Sequence, residues 1–215
     1  MTGFISLSSW HFILTPAITF ILGLLTFFSF FGIGKIVINQ YRLQIPYPWD
    51  NLVFLVTGIF TYSLIYQVIS FLKYSAVISI CTLSILIVIG LYNYKININF
   101  KIFYNYFKNS NYKYLLIIIF ISLIINILLA VAPSTKIDEL AYMMQFPNKI
   151  VKDSFINYYS KPWESTIIIN LCFQLISLPF YSLGFVNVLN VINLFIYIAF
   201  IYFIGRLINI YTKQN

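Results

Sequence analysis

The run Tyr114-Leu115-Leu116-Ile117-Ile118-Ile119-Phe120-Ile121-Ser122-Leu123-Ile124-Ile125-Asn126-Ile127-Leu128-Leu129-Ala130-Val131-Ala132, halted at Pro133, decides the class of this chain. It carries no charge and has the length that a bilayer core of about 30 Å demands of a helix at about 1.5 Å per residue. Its apolar residues neither alternate nor break after about ten positions, which excludes a strand of a membrane barrel. Pro133 lacks a backbone N–H donor and so marks a stop.

Outward from this run the same signature recurs. Residues 12–31, 52–72, 76–92, 114–132, 166–183 and 185–205 each read as an apolar helix of spanning length. Gly32, Gly34 and Lys35 are expected to close the first, and Gly184 to force a tight helical hairpin between the last two. The whole 215-residue chain supports this reading: 61% of it is hydrophobic, 8% is charged, and its mean hydropathy is +0.90. A water-soluble core of this size has no room for that much apolar surface. The expected fold is therefore all-α, a polytopic transmembrane helical protein of about six spans. Two regions are expected: residues 1–113 with three spans and a basic linker, and residues 114–215 with three more. No basic region precedes the first apolar stretch, so it is expected to stay as a membrane helix and not as a cleaved leader.

The net charge of +8 does not imply nucleic acid, because the Lys and Arg residues sit at span ends and in short loops. Residues 93–113 hold Lys95, Lys101, Lys108 and Lys113 with no acid, interleaved with Phe100, Phe103, Tyr104, Tyr106 and Phe107. That pattern describes a basic amphipathic helix on an anionic leaflet. Counting cations leaves the two sides nearly balanced, and the acid-free cluster assigns 93–113 to the cytoplasm together with Lys35 and Arg42. By alternation Lys73, residues 133–165, Arg206 and Lys213 fall outside. The localisation that follows is a multi-pass protein of the cytoplasmic (plasma) membrane, with the lipid bilayer as first partner and no nucleic acid. Cys81 and Cys172 lie inside apolar segments without metal-ligand spacing and read as small hydrophobes, and His11 as an interfacial residue. Ile45-Pro46-Tyr47-Pro48-Trp49 reads as an interfacial elbow.

Chemistry is concentrated in one place. Four of the five acidic residues, Asp138, Glu139, Asp153 and Glu164, fall in the polar loop 133–165 between the fourth and fifth spans, expected to be extracytoplasmic. Ser134 and Thr135 can cap a helix whose first turn holds Asp138 and Glu139, where the positive dipole end favours ionised carboxylates. At i, i+4, Asp138 and Tyr142 share a face, with Glu139 turned about 100° away. On the residues alone, such a pair after a membrane helix is usually a solvated helix start and less often a reactive pair.

The order Asp138-Glu139-Leu140-Ala141-Tyr142, then Pro147-Asn148-Lys149, then Lys161-Pro162-Trp163-Glu164-Ser165 resembles the GT-C membrane glycosyltransferases, in particular their family 39 or ArnT-like branch. The resemblance covers residues 115–207. It implies a polyprenyl-phosphate sugar as donor, Asp138 as general base toward an acceptor hydroxyl with Glu139 beside it, and substrate contacts from Tyr142, Lys149, Lys161 and Glu164. Lys136, Lys149, Lys152 and Lys161, or a divalent cation held by Asp138 or Glu139, would then stabilise the departing phosphate. Such enzymes have a longer module than residues 114–215 provide, so three expectations stand: a fragment or subunit completed by a second membrane chain, a truncated and inactive relative, or a minimal protein that keeps the loop to bind lipid-linked sugars. The competing reading is a non-catalytic scaffold or an accessory subunit for moving lipid-linked sugars. An ion-coupled carrier is disfavoured because no Asp, Glu, Lys or Arg lies well inside a span; the interior polar residues are Gln67, Asn126, Asn170, Gln174, Asn187, Asn190 and Asn193.

Overall fold

A computed structural model describes residues 9–46, 49–94, 113–132, 145–154 and 171–213. Every regular element among them is an α-helix: α1 (Ser9–Gln40), α2 (Asp50–Lys73), α3 (Ala76–Asn93), α4 (Lys113–Val131), α5 (Gln145–Asp153), α6 (Leu171–Ser182) and α7 (Val188–Lys213). Three of them carry stretches long and apolar enough to cross a membrane: Leu14–Gln40, Asp50–Lys73 and Ala76–Asn93. The apolar stretches Phe120–Val131 and Val188–Ile204 are shorter. Outward-facing Phe60, Leu64, Phe71, Val77, Ile85 and Val88 are exposed, as lipid-facing side chains are.

The first span does not close at Gly32. α1 runs on to Gln40, because Gly32 and Gly34 are contact points and not terminators. A Cβ on Gly32 would meet the backbone of Gly90 in α3; one on Gly34 would meet Phe54 in α2; and one on Gly58 of α2 would meet the Phe30 backbone of α1. Glycine costs about 1 kcal/mol in a helix interior, and the close backbone approach it permits is what small residues supply where helices pack in lipid. α1 ends in a Schellman arrangement with Arg42 at φ 54°: Leu43 N–H donates to Ile38 O at 3.3 Å and Arg42 N–H to Asn39 O at 3.0 Å.

α2 and α3 are joined by Tyr74 and Ser75 alone and lie antiparallel beside α1. The α6–α7 turn behaves as its glycine predicts. Gly184 adopts φ 77°, its N–H donates to Tyr181 O at 3.1 Å, and Phe185 N–H donates to Phe180 O at 2.9 Å. Where that turn sits differs from the alternation of six spans. The Tyr74 hydroxyl bonds Leu178 O and Ser182 Oγ, so the turn lies at the end of the bundle where α2 finishes. α7 then packs along α1, with Val191 against Gly23 and Phe195 stacked on Phe27 at 5.4 Å. It reaches the opposite end, where Tyr202 influences Tyr94. The backbone at Arg206 therefore belongs with the Gln40 and Asn93 end of the bundle, not with Lys73. The physical reason is that α6 is fastened to Tyr74 by its C-terminal end.

One buried cluster draws side chains from both sides of residue 113: Phe27, Phe30 and Phe31 of α1, Leu55, Tyr62 and Tyr66 of α2, Leu83 and Leu86 of α3, Ile150 of α5, Leu175, Ile176 and Phe180 of α6, and Ile192 of α7. A second, polar seam runs through it. Ser29 Oγ donates to Thr26 O at 2.6 Å, which leaves the Tyr62 hydroxyl to donate to Ser29 Oγ at 2.5 Å. Below it the Tyr66 hydroxyl donates to Ser79 O at 3.2 Å, and Ser70 to Tyr66 O at 2.7 Å.

Candidate functional site

The end of the bundle at Tyr74 gathers the elements that bear on the acidic loop. Tyr74 follows the last residue of α2 with extended backbone (φ −66°, ψ 130°), which frees its N–H from the helix. That N–H donates to Ser154 O at 2.6 Å, immediately after α5. Ser154 has φ 63° and its own N–H returns to Ile150 O at 2.8 Å, an αL ending for α5. The Tyr74 hydroxyl stands 3.1 Å from Leu178 O and 2.5 Å from Ser182 Oγ of α6. One residue thus holds α2, α5 and α6 together.

α5 itself is amphipathic. Pro147 and Ile150 are buried, Ile150 completely; Lys149 is half-buried; Lys152 and Asp153 face outward. Placing Pro147 near the start of the helix is sterically free, since the first-turn N–H groups have no intrahelical partner. The burial of Ile150 against α6 fixes which face of α5 points away, and Lys152 and Asp153 are on it.

Of the residues expected to act in the loop, Lys149 is seen, on α5, at the rim of this end of the bundle. Asp138, Glu139, Tyr142, Lys161 and Glu164 lie outside the described residues, as do Asn170 and the proposed cap at Ser134 and Thr135. The divalent cation rests on Asp138 or Glu139 and so falls outside them too; among the described residues no three His, Cys, Asp or Glu side chains gather to hold a metal ion. Of the interior amides, Gln174 is buried, Gln67, Asn187 and Asn190 are half-buried, and Asn126 and Asn193 are exposed.

The opposite end holds the fifth acid. Asp50 opens α2, and its Oδ1 is buried without a hydrogen-bond partner among the described residues. Nearby, the Tyr94 ring stacks on Phe31 at 4.9 Å and on Phe28 at 6.2 Å. Burial raises the Tyr94 pKa above its ordinary value, with Tyr202 and Asp50 adding to the rise. Sequence reasoning passed over Tyr74, Ile150 and Asp50. The stripe Tyr62, Tyr66, Ser70, Tyr74 at intervals of four was the available signal for the first of these.

No protein-family model matches this chain, and no match is found among curated proteins or solved structures.

Proposed function

We propose that this membrane protein is a GT-C-type glycosyltransferase module, or the part of one, that transfers a sugar from a polyprenyl-phosphate donor to an extracytoplasmic acceptor in the cytoplasmic membrane. The observation that supports this reading is the anchoring of the acidic loop's second half. Through Ile150 and the Tyr74–Ser154 bond, the segment that follows Asp138 and Glu139 is tied to the mouth of the helix bundle. A loop tied at the bilayer surface is where a lipid-borne phosphate and a water-borne acceptor can meet.

In the proposed reaction Asp138 takes the proton of the acceptor hydroxyl as that oxygen bonds to the anomeric carbon. The bond from that carbon to the donor's phosphate oxygen breaks on the other face, and polyprenyl phosphate leaves with the electron pair. A positioned base contributes about 10² to 10⁴-fold. Lys149, on the rim, supplies a cation for the leaving phosphate, and Lys161, Glu164 and Tyr142 supply the remaining substrate contacts.

The second reading, a non-catalytic scaffold or accessory subunit for lipid-linked sugars, is favoured by the glycine-mediated contacts between α1, α2 and α3 and by buried polar residues that, among the described residues, are Thr, Ser and Gln. One experiment separates the two. Membranes carrying the full chain, with and without the product of the adjacent reading frame, are given radiolabelled polyprenyl-phosphate sugars and assayed for transfer. Asp138→Asn is expected to lower transfer by about 100-fold or more. Absence of transfer in every arrangement, or an undiminished rate in Asp138→Asn, leaves the scaffold reading standing.

A further inference from the structure

Two points of the chain's second half meet at one residue. Ser154 O accepts from the Tyr74 N–H, and the Tyr74 hydroxyl bonds Leu178 O and Ser182 Oγ. The chain therefore leaves α5 and finishes α6 at the same end of the bundle. Between these helices, residues 155–165 hold Lys161 and Glu164, charges that hydrocarbon excludes. α6 has 12 described residues, about 18 Å of helix, where a hydrocarbon core is about 30 Å thick. Every residue from Gln174 to Phe180 is buried, so protein and not lipid surrounds it. α2 and α3 instead expose Phe60, Leu64, Val77 and Val88. A segment that enters a bilayer and turns back needs that shelter, because lipid cannot satisfy the backbone groups of a turn at depth.

α7 fixes the parity. Gly23 of α1 faces Val191 of α7, and one turn further on Phe27 stacks on Phe195, so the two helices run parallel. α2 runs against α1, since Ser29, Phe30 and Gly34 meet Tyr62, Gly58 and Phe54 in descending order. α3 returns alongside α2 and ends at Tyr94, away from Tyr74, while α5 lies at Tyr74. One crossing must separate Tyr94 from α5, and α4 is the apolar stretch between them. Crossings by α1, α2, α3, α4 and α7 carry the start of α1 and the end of α7 to opposite faces.

We propose that the chain crosses the bilayer five times, that α6 is a re-entrant helix, and that the Gln40 end of the bundle faces the cytoplasm. The change of parity redistributes the cations. Lys35, Arg42, the four lysines of 93–113, Arg206 and Lys213 come to one face, and Lys73 with the four lysines of 133–165 to the other. Alternation of six spans leaves the two faces nearly balanced. Eight cations against five satisfies the tendency of short cytoplasmic loops to hold the excess of Lys and Arg. The end of α7 is thus cytoplasmic and the start of α1 is not. This inference does not depend on sugar transfer.

The test uses the full chain with Cys81 and Cys172 replaced by Ser, carrying one new cysteine at a time in a bacterial cytoplasmic membrane. Q44C, D153C and L183C replace exposed residues, and K213C stands at the end of α7. A membrane-impermeant maleimide is applied to sealed right-side-out vesicles before and after they are opened with detergent. D153C and L183C are expected to react in sealed vesicles, and Q44C and K213C only after opening. Six alternating spans give the reverse for L183C and K213C, and an inverted chain gives the reverse for all four. Either of these patterns, or any other departure from the expected one, overturns the proposal. A green fluorescent protein fused after Asn215, which matures only in the cytoplasm, reads the same face without a cysteine. It is expected to be bright; a dark fusion present in the membrane at the same amount also overturns the proposal.

Discussion

Tyr94, just past the end of α3, is held between aromatic rings and close to the carboxylate of Asp50, and both burial and these neighbours disfavour its phenolate. Its pKa is thus raised in the folded protein above the ordinary 10.0. The folded state keeps a proton that the unfolded chain releases, so this stabilisation is fully present below pH 10 and is lost as pH rises through the folded value. Thermal unfolding in detergent between about pH 9 and pH 11 is expected to show a falling midpoint for the wild type and a shallower fall for Tyr94→Phe. Equal slopes would show that Tyr94 carries none of this dependence. The glycine contacts give a second residue-scale expectation. Gly58→Ala drives a methyl into the Phe30 backbone, which cannot rotate away, whereas Gly23→Ala meets the side chain of Val191 at 2.6 Å, which can. Overpacking costs typically about 1–3 kcal/mol, which puts Gly58→Ala at the upper end, about 3 kcal/mol, and Gly23→Ala near about 1 kcal/mol. The difference is readable as a larger drop in midpoint for the first.

At the scale of elements, α5 is short and is fastened by buried Pro147 and Ile150, by Val151 against the core, and by the Ser154–Tyr74 bond behind it. Ile150→Ala removes a fully buried side chain, a change that costs about 2–5 kcal/mol in a packed core. Because a helix of nine residues cannot hold itself together in water, the loss is expected to appear as local release. Hydrogen exchange should accelerate across residues 145–154 while α1, α2 and α3 keep their protection; uniform acceleration of all helices would mean that Ile150 supports the bundle and not α5. The sequence already marked the extents of α2, α3 and α4, since a bilayer imposes length on apolar runs and charged or polar residues flank them. It misread the end of α1, because a glycine that ends a helix and one that admits a neighbour look alike until the neighbour is known. Tyr74 was legible as the last of a stripe but not as an anchor, for a related reason: its hydroxyl partner Leu178 is 104 residues away. The acids of the loop were legible as chemistry, and Lys149 among their partners now has a place on α5.

For the whole molecule, the buried cluster shared by α1, α2, α3 and α5 to α7 means that neither half is expected to persist alone. Residues 1–113 and 114–215 expressed separately should be degraded or protease-sensitive, and co-expression should restore a co-purifying, protease-resistant pair. Two halves that are each stable would mean that the contacts of Ile150, Leu175 and Ile192 with the first three helices add little.

The hydroxyl seam carries a consequence for biogenesis. Helices enter a bilayer before they find one another, and a buried ion pair would burden each segment with a charge during that entry. Ser29, Thr26 and Ser70 each donate to a carbonyl three or four residues back in their own helix. They are therefore partly satisfied while their helix is still alone in lipid. When α1 and α2 meet, Tyr62 reaches Ser29 and fixes the register between them. Specificity of assembly is thereby encoded in groups that pose little obstacle to insertion.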